Sequence, residues 1–296
     1  MKPPPFSYHA PITVAEAIDL LGRYDGDAKV VAGGQSLLPL LNFRLSRPAA
    51  LVDINRIPGL DYIRADGGML EIGAVTRHRA VERSAVVAAH CPLLAEAVRH
   101  IGHFQIRNRG TIGGSIAHAD PAAELPIVLT ALEGEVVITG PGGVRTATAS
   151  EFFITLFTTS LGSDELVTAV RFPTLGPGTG SAFQELARRS GDFALVAVAA
   201  ALALDEAGAV RWVRLALGGV DLVPVRAAGA EEFLAGKRPD AATLAEAAAL
   251  VAGEINPESD LHATAEYRRQ LAAVLTGEAL ETAARRAAEG GECGHA

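Results

Sequence analysis

Val30–Leu41, "VVAGGQSLLPLL", starts as a buried strand, breaks on Gly33 and Gly34, and resumes as an apolar run that reads as helix. A strand that ends in Gly-Gly and feeds a helix gathers unpaired backbone N–H groups and the positive end of a helix dipole in one place. An anion can reach the main chain there without meeting side chains. Ala32–Ser36 supplies that pattern, and the Ser36 hydroxyl can act as a helix cap or as an added donor to a phosphate oxygen. The same residues also describe an ordinary tight turn closed by a serine cap.

A second loop repeats the chemistry. "TIGGS", Thr111–Ser115, again places a hydroxyl, an apolar residue, two glycines and a hydroxyl in a row, and "HADPAAELP" follows it closely. Pro121 suits a first helical turn capped by Asp120, which puts Glu124 one turn in. A carboxylate there repels pyrophosphate, so its useful partner is a hydroxyl donor of a ribose or ribityl group, or Arg107 or Arg109. A helix N-terminal acid favoured by the dipole explains it equally well. Two glycine loops suit a dinucleotide with one bulky end. Neither G-x-G-x-x-G nor G-x-x-x-x-G-K-S/T occurs, so the binding mode is neither the Rossmann nor the Walker type.

Around these loops the chain alternates short elements. Thr13 and Glu16 form a capping-box pattern that opens a helix with Val14, Ile18 and Leu21 on one face and Gly22 as its stop. "KVVAG", "ALVDI" and "LEIGA" read as strands, "TRHRAVERS" and "CPLLAEAVRHIG" as helices, and "GEVVITGPGGVRTATA" as a hairpin. From His103 to Asp120 no period persists, which predicts a long irregular loop with a functional role. "PTLGPGTG", Pro173–Gly180, is the best domain boundary. Strand-like "SAFQELARR", the apolar run Phe193–Leu204, the strand "VRWVRLALGGV" and Ala/Glu-rich helices reaching about Gly290 then predict a sheet covered by helices.

Composition narrows the function. The chain has 296 residues, 49% hydrophobic and 20% charged, a size that suggests two domains. A formal net charge of -8 argues against nucleic acid as the main partner. Two cysteines, Cys91 and Cys293, cannot build a four-cysteine zinc or iron–sulfur site and suit a reducing cytoplasm. "MKPPPFSYHAPIT" lacks the apolar core of a secretory signal, and no apolar run is long enough to cross a bilayer, so neither export nor membrane insertion is expected. His100 with His103, and His118 with Asp120, hint at metal pairs, but neither gathers a third ligand, and no metal is expected.

"AGGQSLLPLL", "LVDI", "RNRGTIGGSIAHADPAAELP" and "RRSGDFALVAVA", in this order and across nearly the whole chain, resemble the FAD-binding medium subunit of the molybdenum hydroxylases. That family includes carbon monoxide dehydrogenase and xanthine dehydrogenase-type enzymes. The resemblance implies an α+β fold: a two-lobed FAD-binding domain of the vanillyl-alcohol-oxidase (PCMH) type, then a smaller α+β C-terminal domain resembling that of the carbon monoxide dehydrogenase flavoprotein. The implied division is a first lobe over 1–57, a second lobe over 58–175, the C-terminal domain over 176–290 and a tail over 291–296.

Carried over residue by residue, the resemblance places Ala32, Gly33, Gly34, Gln35 and Ser36 around the pyrophosphate, with Lys29, Val30 and Val31 on the strand beside them and Leu37 beyond. Thr111, Gly113, Gly114 and Ser115 would close the other side, followed by Ala117, His118 and Asp120. Glu124 falls where the family has an acid that hydrogen-bonds the sugar-like chain of the cofactor, and Ile101, Leu166 and Val167 would also border it. Asp192 and Phe193 stand at the isoalloxazine ring, where phenylalanine can pack but, unlike tyrosine, cannot hydrogen-bond. From pattern alone Phe193 could equally be the first core residue of the run that follows. Gln35 stands where carbon monoxide enzymes often have histidine, which points to an N-heterocycle, aldehyde or purine-like substrate before carbon monoxide.

The implied function is electron exit. A large subunit with a molybdopterin cofactor hydroxylates the substrate, two 2Fe-2S clusters in a small subunit relay the electrons, and FAD on this chain passes them to NAD, a quinone, a cytochrome or oxygen. A dimer of heterotrimers is the implied assembly. The flavin carries the redox chemistry, so no catalytic side-chain constellation is required. The cysteine count also argues against the 4-hydroxybenzoyl-CoA reductase branch, whose flavin subunit carries an extra cluster. The competing readings are a stand-alone FAD oxidase and a flavin-binding module without turnover.

Overall fold

The computed structural model describes residues 2–292. Residues 293–296 of the expected tail, Cys293 among them, lie outside the described residues.

The first segment runs β1 (Ser7–His9), α1 (Val14–Arg23), β2 (Ala28–Val31), α2 (Leu37–Asn42) and β3 (Ala50–Asp53). Its three strands form a parallel sheet in the order β1-β3-β2, with Tyr8 opposite Leu51 and Val30 opposite Val52. Parallel neighbours need a crossover, and α1 and α2 provide it. The Thr13 hydroxyl accepts from the Glu16 amide to cap α1, whose Ala17, Leu20 and Leu21 face joins Val52, Ile54 and Ile57 in a small core.

The second segment is β4 (Ile63–Asp66), β5 (Met69–Gly73), α3 (His78–Arg83), α4 (Ala85–His90), α5 (Pro92–Ala97), α6 (Phe104–Arg109), α7 (Ile112–His118), α8 (Glu124–Ala131), β6 (Glu135–Gly140), β7 (Gly143–Thr148), α9 (Ala149–Phe152), β8 (Phe153–Thr155), β9 (Thr158–Thr159) and β10 (Leu166–Pro173). β10 returns to the middle of an antiparallel sheet in the order β4-β5-β10-β6-β7. The expected irregular loop over His103–Asp120 is corrected here, because it contains α6 and α7. Gly110 ends the first and Ala119, in the left-handed region at φ 53°, ends the second. Six- and seven-residue helices are too short to show a 3.6-residue period, and tertiary contacts hold them. The helix expected to open at Pro121 instead begins at Glu124, since the Asp120 side chain accepts from the Ala122 amide and shapes a turn.

The third segment is β11 (Thr179–Ala187), β12 (Ala194–Leu204), β13 (Val210–Gly218), β14 (Val225–Arg226), α10 (Ala228–Leu234), α11 (Ala241–Val251) and α12 (Ala265–Glu292). One antiparallel sheet, β11-β12-β13-β14, is buried on both faces. On β12 the small residues Ala197, Ala199 and Ala201 belong to the core shared with α5 and α8, whereas Val196, Val198 and Leu202 pack with α10–α12. A strand buried on both sides reads as a continuous apolar run, which is why Phe193–Leu204 shows no alternation. Arg268 of α12 is buried, donates to the carbonyls of Leu195 and Gly219, and pairs with Asp260 at 2.8 Å, fixing the helix to the sheet.

Gly180 shows how close that helix lies: a Cβ there would collide with the Ala283 carbonyl and the Ala287 amide. Gly180→Val is therefore expected to destabilise the folded chain by about 1–3 kcal/mol or more through overpacking. Urea denaturation checks this, and an unchanged midpoint would show that α12 does not sit against β11.

Candidate flavin site

The two glycine loops, distant in sequence, touch. A Cβ on Gly33 would strike the Arg109 carbonyl and come within 2.8 Å of the Gly110 Cα, so the first turn lies directly on the backbone of the second. Gly34 has φ +72°, a conformation that favours glycine. Parallel pairing of β2 with β3 delivers the first turn, and α3 with its preceding segment delivers the second. Ala74 and Thr76 carbonyls accept from the amides of Gly113 (2.9 Å) and Ile112 (3.0 Å).

The loops read alike but differ in their amides. Among the described residues the backbone N–H groups of Gly33, Gly34, Gln35 and Ser36 meet no acceptor. Successive free backbone donors are the pattern from which anion-binding nests are built. The Ser36 hydroxyl caps nothing, because Ser36 precedes α2 without a side-chain capping bond, so it is available as a fifth donor. In the second loop the amides of Ile112, Gly113, Gly114 and Ser115 are all used, by Thr76, Ala74, the Thr111 hydroxyl and the Thr111 carbonyl. Thr111 and Gly113 are buried, and a Cβ on Gly113 would sit 2.6 Å from that of Ala74. Gly114 is exposed, so this loop offers a bare surface and the Ser115 side chain rather than a set of donors. Sequence cannot separate the two, because the difference lies in what packs behind each turn.

The other sequence-predicted residues of the expected cleft fall into four groups. Lys29 is exposed on β2, with Val30, Val31 and Ala32 half-buried beside it and Leu37 opening α2. Gln35 turns inward and donates to the Gly33 carbonyl at 3.1 Å, so its amide stabilises the first turn. Ala117 is exposed on α7, and His118 stacks on Phe157 with ring centroids 5.0 Å apart. Asp192 and Phe193 precede β12 in an exposed turn, with Phe193 66% exposed, so the reading of Phe193 as a core residue is corrected. Ile101, Leu166 and Val167 lie in the hydrophobic cores, where side chains pack against protein. Next to Ile101, two adjoining cavities of about 400 and 270 Å³ open between the Arg99–Arg107 segment and the Glu185–Gly191 turn.

Glu124 is the first residue of α8 and 8% exposed. Burial, then the like charge of Glu185 across the junction with β11, pushes its carboxyl up to about 8. Burial likewise raises Glu185 to about 7, and its Oε2 is buried without a hydrogen-bond partner, 3.9 Å from His100 Nδ1. A protonated Glu124 can donate as well as accept, which suits a hydroxyl-rich chain. Asp120 is also raised by burial.

Sequence reasoning passed over Asn55, Arg77 and His78. The Asn55 side-chain amide donates to the Ala32 carbonyl at 2.8 Å, and His78 is buried beneath the Gly110–Thr111 turn. Burial lowers the His78 imidazole to about 4, so it stays neutral. "LVDI" was legible as a strand, but the residue two beyond its aspartate carries no pattern that marks it.

Glu124 gives a pH test on the flavin-free protein. Its folded value lies above that of the unfolded chain, so unfolded Glu124 releases its proton first. Stability then falls as pH rises from about 4.5 to about 8 and levels off beyond, at roughly 1.4 kcal/mol per displaced unit. Glu124→Gln is expected to flatten that slope in chemical denaturation; an unchanged slope would place the carboxyl in solvent.

Residues 4–175 match the family described as FAD binding domain in molybdopterin dehydrogenase, and residues 181–283 match the CO dehydrogenase flavoprotein C-terminal domain. The chain is 42% identical to the 6-hydroxypseudooxynicotine dehydrogenase complex subunit alpha of Paenarthrobacter nicotinovorans, covering 97% of each chain. It superposes on carbon monoxide dehydrogenase from Hydrogenophaga pseudoflava with TM-score 0.94 at 41% identity, covering 97% of this chain and 99% of that one. Quinoline 2-oxidoreductase from Pseudomonas putida 86 gives 0.92 at 39% identity, with the same coverage. With two lobes and a helix-covered C-terminal sheet around paired glycine loops, this chain belongs to the FAD-binding medium-subunit family of the molybdenum hydroxylases.

Proposed function

We propose that this chain holds one FAD non-covalently across the two glycine turns and serves as the electron exit of a heteromeric molybdenum hydroxylase. The observation that carries this reading is the run of four acceptor-free amides at Gly33–Ser36, in a turn whose Gly33 lies against the Arg109–Gly110 backbone that leads into the second glycine turn. Bound FAD would supply the redox chemistry, taking electrons from a partner and giving them to an external acceptor.

The chain's own residues bind and position. The 33–36 amides and the Ser36 hydroxyl offset the charge of a pyrophosphate, while Gly114 and Ser115 close over it. Asp120 and Glu124 address the polyol chain. Phe193, exposed on a turn, packs on one ring face, with Asp192 beside it. Leu37, Ala117, His118 and the main chain at Lys29–Ala32 border the same cleft, and Ile101, Leu166 and Val167 support it from the core. In the division into lobes 1–57 and 58–175 and a domain over 176–290, the first lobe carries the amide nest, the second the closing surface and the C-terminal domain the ring contact.

The electrons reach this chain from elsewhere. Iron–sulfur clusters need thiolates, and the described cysteine, Cys91, is buried with its thiol pushed up to about 12. A small 2Fe-2S subunit and a large molybdopterin subunit are therefore the proposed partners, in a dimer of heterotrimers, and NAD, a quinone, a cytochrome or oxygen is the acceptor. Gln35 bonds back to its own turn, and relatives are named for 6-hydroxypseudooxynicotine and quinoline. Carbon monoxide dehydrogenase is matched equally well, so the preference for an N-heterocycle, aldehyde or purine-like substrate over carbon monoxide rests on Gln35 in place of a histidine. Among the described residues no helix is long and apolar enough to cross a membrane.

Denaturing the purified chain and identifying what it releases tests the reading. One FAD per chain is expected, and a colourless protein that does not take up added FAD would end it. Gly114→Val is expected to weaken FAD binding at least tenfold and, because its Cβ meets the Thr111 capping hydroxyl, to lower the melting temperature, with Gly33→Ala lowering it further because its Cβ meets backbone. Phe193→Ala is expected to shift the visible flavin spectrum; a superimposable spectrum would place the ring elsewhere.

A further inference from the structure

Arg77, at the residue before α3, reaches both glycine turns. One guanidinium nitrogen donates to the Arg109 carbonyl, at the end of α6 where the chain enters the second turn, and the other donates to Asn55 Oδ1 at 2.7 Å. Asn55 Nδ2 in turn donates to the Ala32 carbonyl of the first turn at 2.8 Å. The roles in this relay are fixed. Asp53 Oδ1 accepts from both the Asn55 amide N–H (2.9 Å) and its side-chain Nδ2 (2.6 Å), so the nitrogen must face Asp53 and Ala32 and the oxygen must face Arg77. Tyr8 donates to the other oxygen of Asp53 at 2.6 Å and holds that carboxylate in place.

The next residue completes the hold on the second turn. The His78 amide donates to the Gly110 carbonyl at 2.9 Å, and His78 Nε2 lies 2.9 Å from the Thr111 carbonyl. A carbonyl can only accept, so Nε2 carries the proton. Three consecutive carbonyls, Arg109, Gly110 and Thr111, are thus drawn toward Arg77 and His78.

We propose that Arg77 is a positioning residue for the flavin cradle: through Asn55 it latches the first glycine turn to the second and keeps both in the spacing that receives the cofactor. The cofactor part rests on the flavin reading above. The hydroxyl and amide side chains with recorded bonds in the two turns, Gln35 and Thr111, each bond within their own turn, so the recorded hydrogen-bond link between the turns runs through Asn55 and Arg77. Arg77 lies near Arg109, Asp53 and Asp61, and among the described residues no carboxylate forms an ion pair with it, so its planar fork serves two neutral oxygens. A lysine ammonium keeps the charge but lacks that rigid, two-pronged geometry.

The test uses the full chain, with and without FAD, and the variants Arg77→Lys, Asn55→Ala and their double. In the flavin-free protein, hydrogen exchange is followed at Leu38, whose amide bonds the Gly34 carbonyl, and at Ile112 and Gly113 in the second turn. Each single variant is expected to speed exchange in both turns at an unchanged melting temperature and to weaken FAD binding at least tenfold. The double variant should be no worse than the weaker single, because one relay is cut twice.

Exchange that rises only in the turn touched by the substituted residue, or losses that multiply in the double variant, would overturn the latch. Arg77→Lys with wild-type FAD affinity would show that only the charge matters and would also overturn it. A wild-type chain that binds no FAD would remove the cofactor role, while the exchange data would still decide whether the two turns are latched.

Discussion

The contact of Gly33 with the Arg109–Gly110 backbone is the constraint on which the site depends. Two backbones that approach this closely leave no space for a Cβ, so the residue at the contact must be glycine whatever ligand lies nearby. A glycine pair in a cofactor motif invites the interpretation that both glycines make room for phosphate. Here Gly33 and Gly113 make room for protein, Gly34 makes the turn, and Gly114, though exposed, leaves room for the capping Thr111 hydroxyl.

This division explains why the loops share a sequence pattern but play different parts. An amide serves a ligand only when no carbonyl has claimed it. The second turn is stitched to the Ala74–His78 segment almost as a strand and spends its amides there. The first turn leaves the end of β2 with no acceptor opposite its amides and keeps them free. In the proposed flavin reading, the first turn is the anion subsite and the second supplies shape.

The buried carboxyls follow from where the segments meet. Glu124 opens α8, which packs on the C-terminal sheet, within electrostatic reach of Glu185 on β11, and neither has an ion-pair partner able to hold it ionised. Burial of a lone carboxyl favours its neutral form. The environment shifts Glu124 toward its neutral, donating form, a property that a glutamate's place in sequence does not reveal.

The sequence by itself determined the element types, the two glycine turns, the sheet-and-helix C-terminal half and, through four ordered motifs, the family. Those features are local: a strand, a turn or a capped helix is written in neighbouring residues, and motifs survive as contiguous strings. It could not show α6 and α7, which are too short to carry a period and are held by contacts from elsewhere. Nor could it show that Thr111 caps while Ser36 does not, that Phe193 is exposed, or that Asn55, Arg77 and His78 join the turns. Only the tertiary structure decided those points, because each depends on which backbone groups a distant segment has already satisfied.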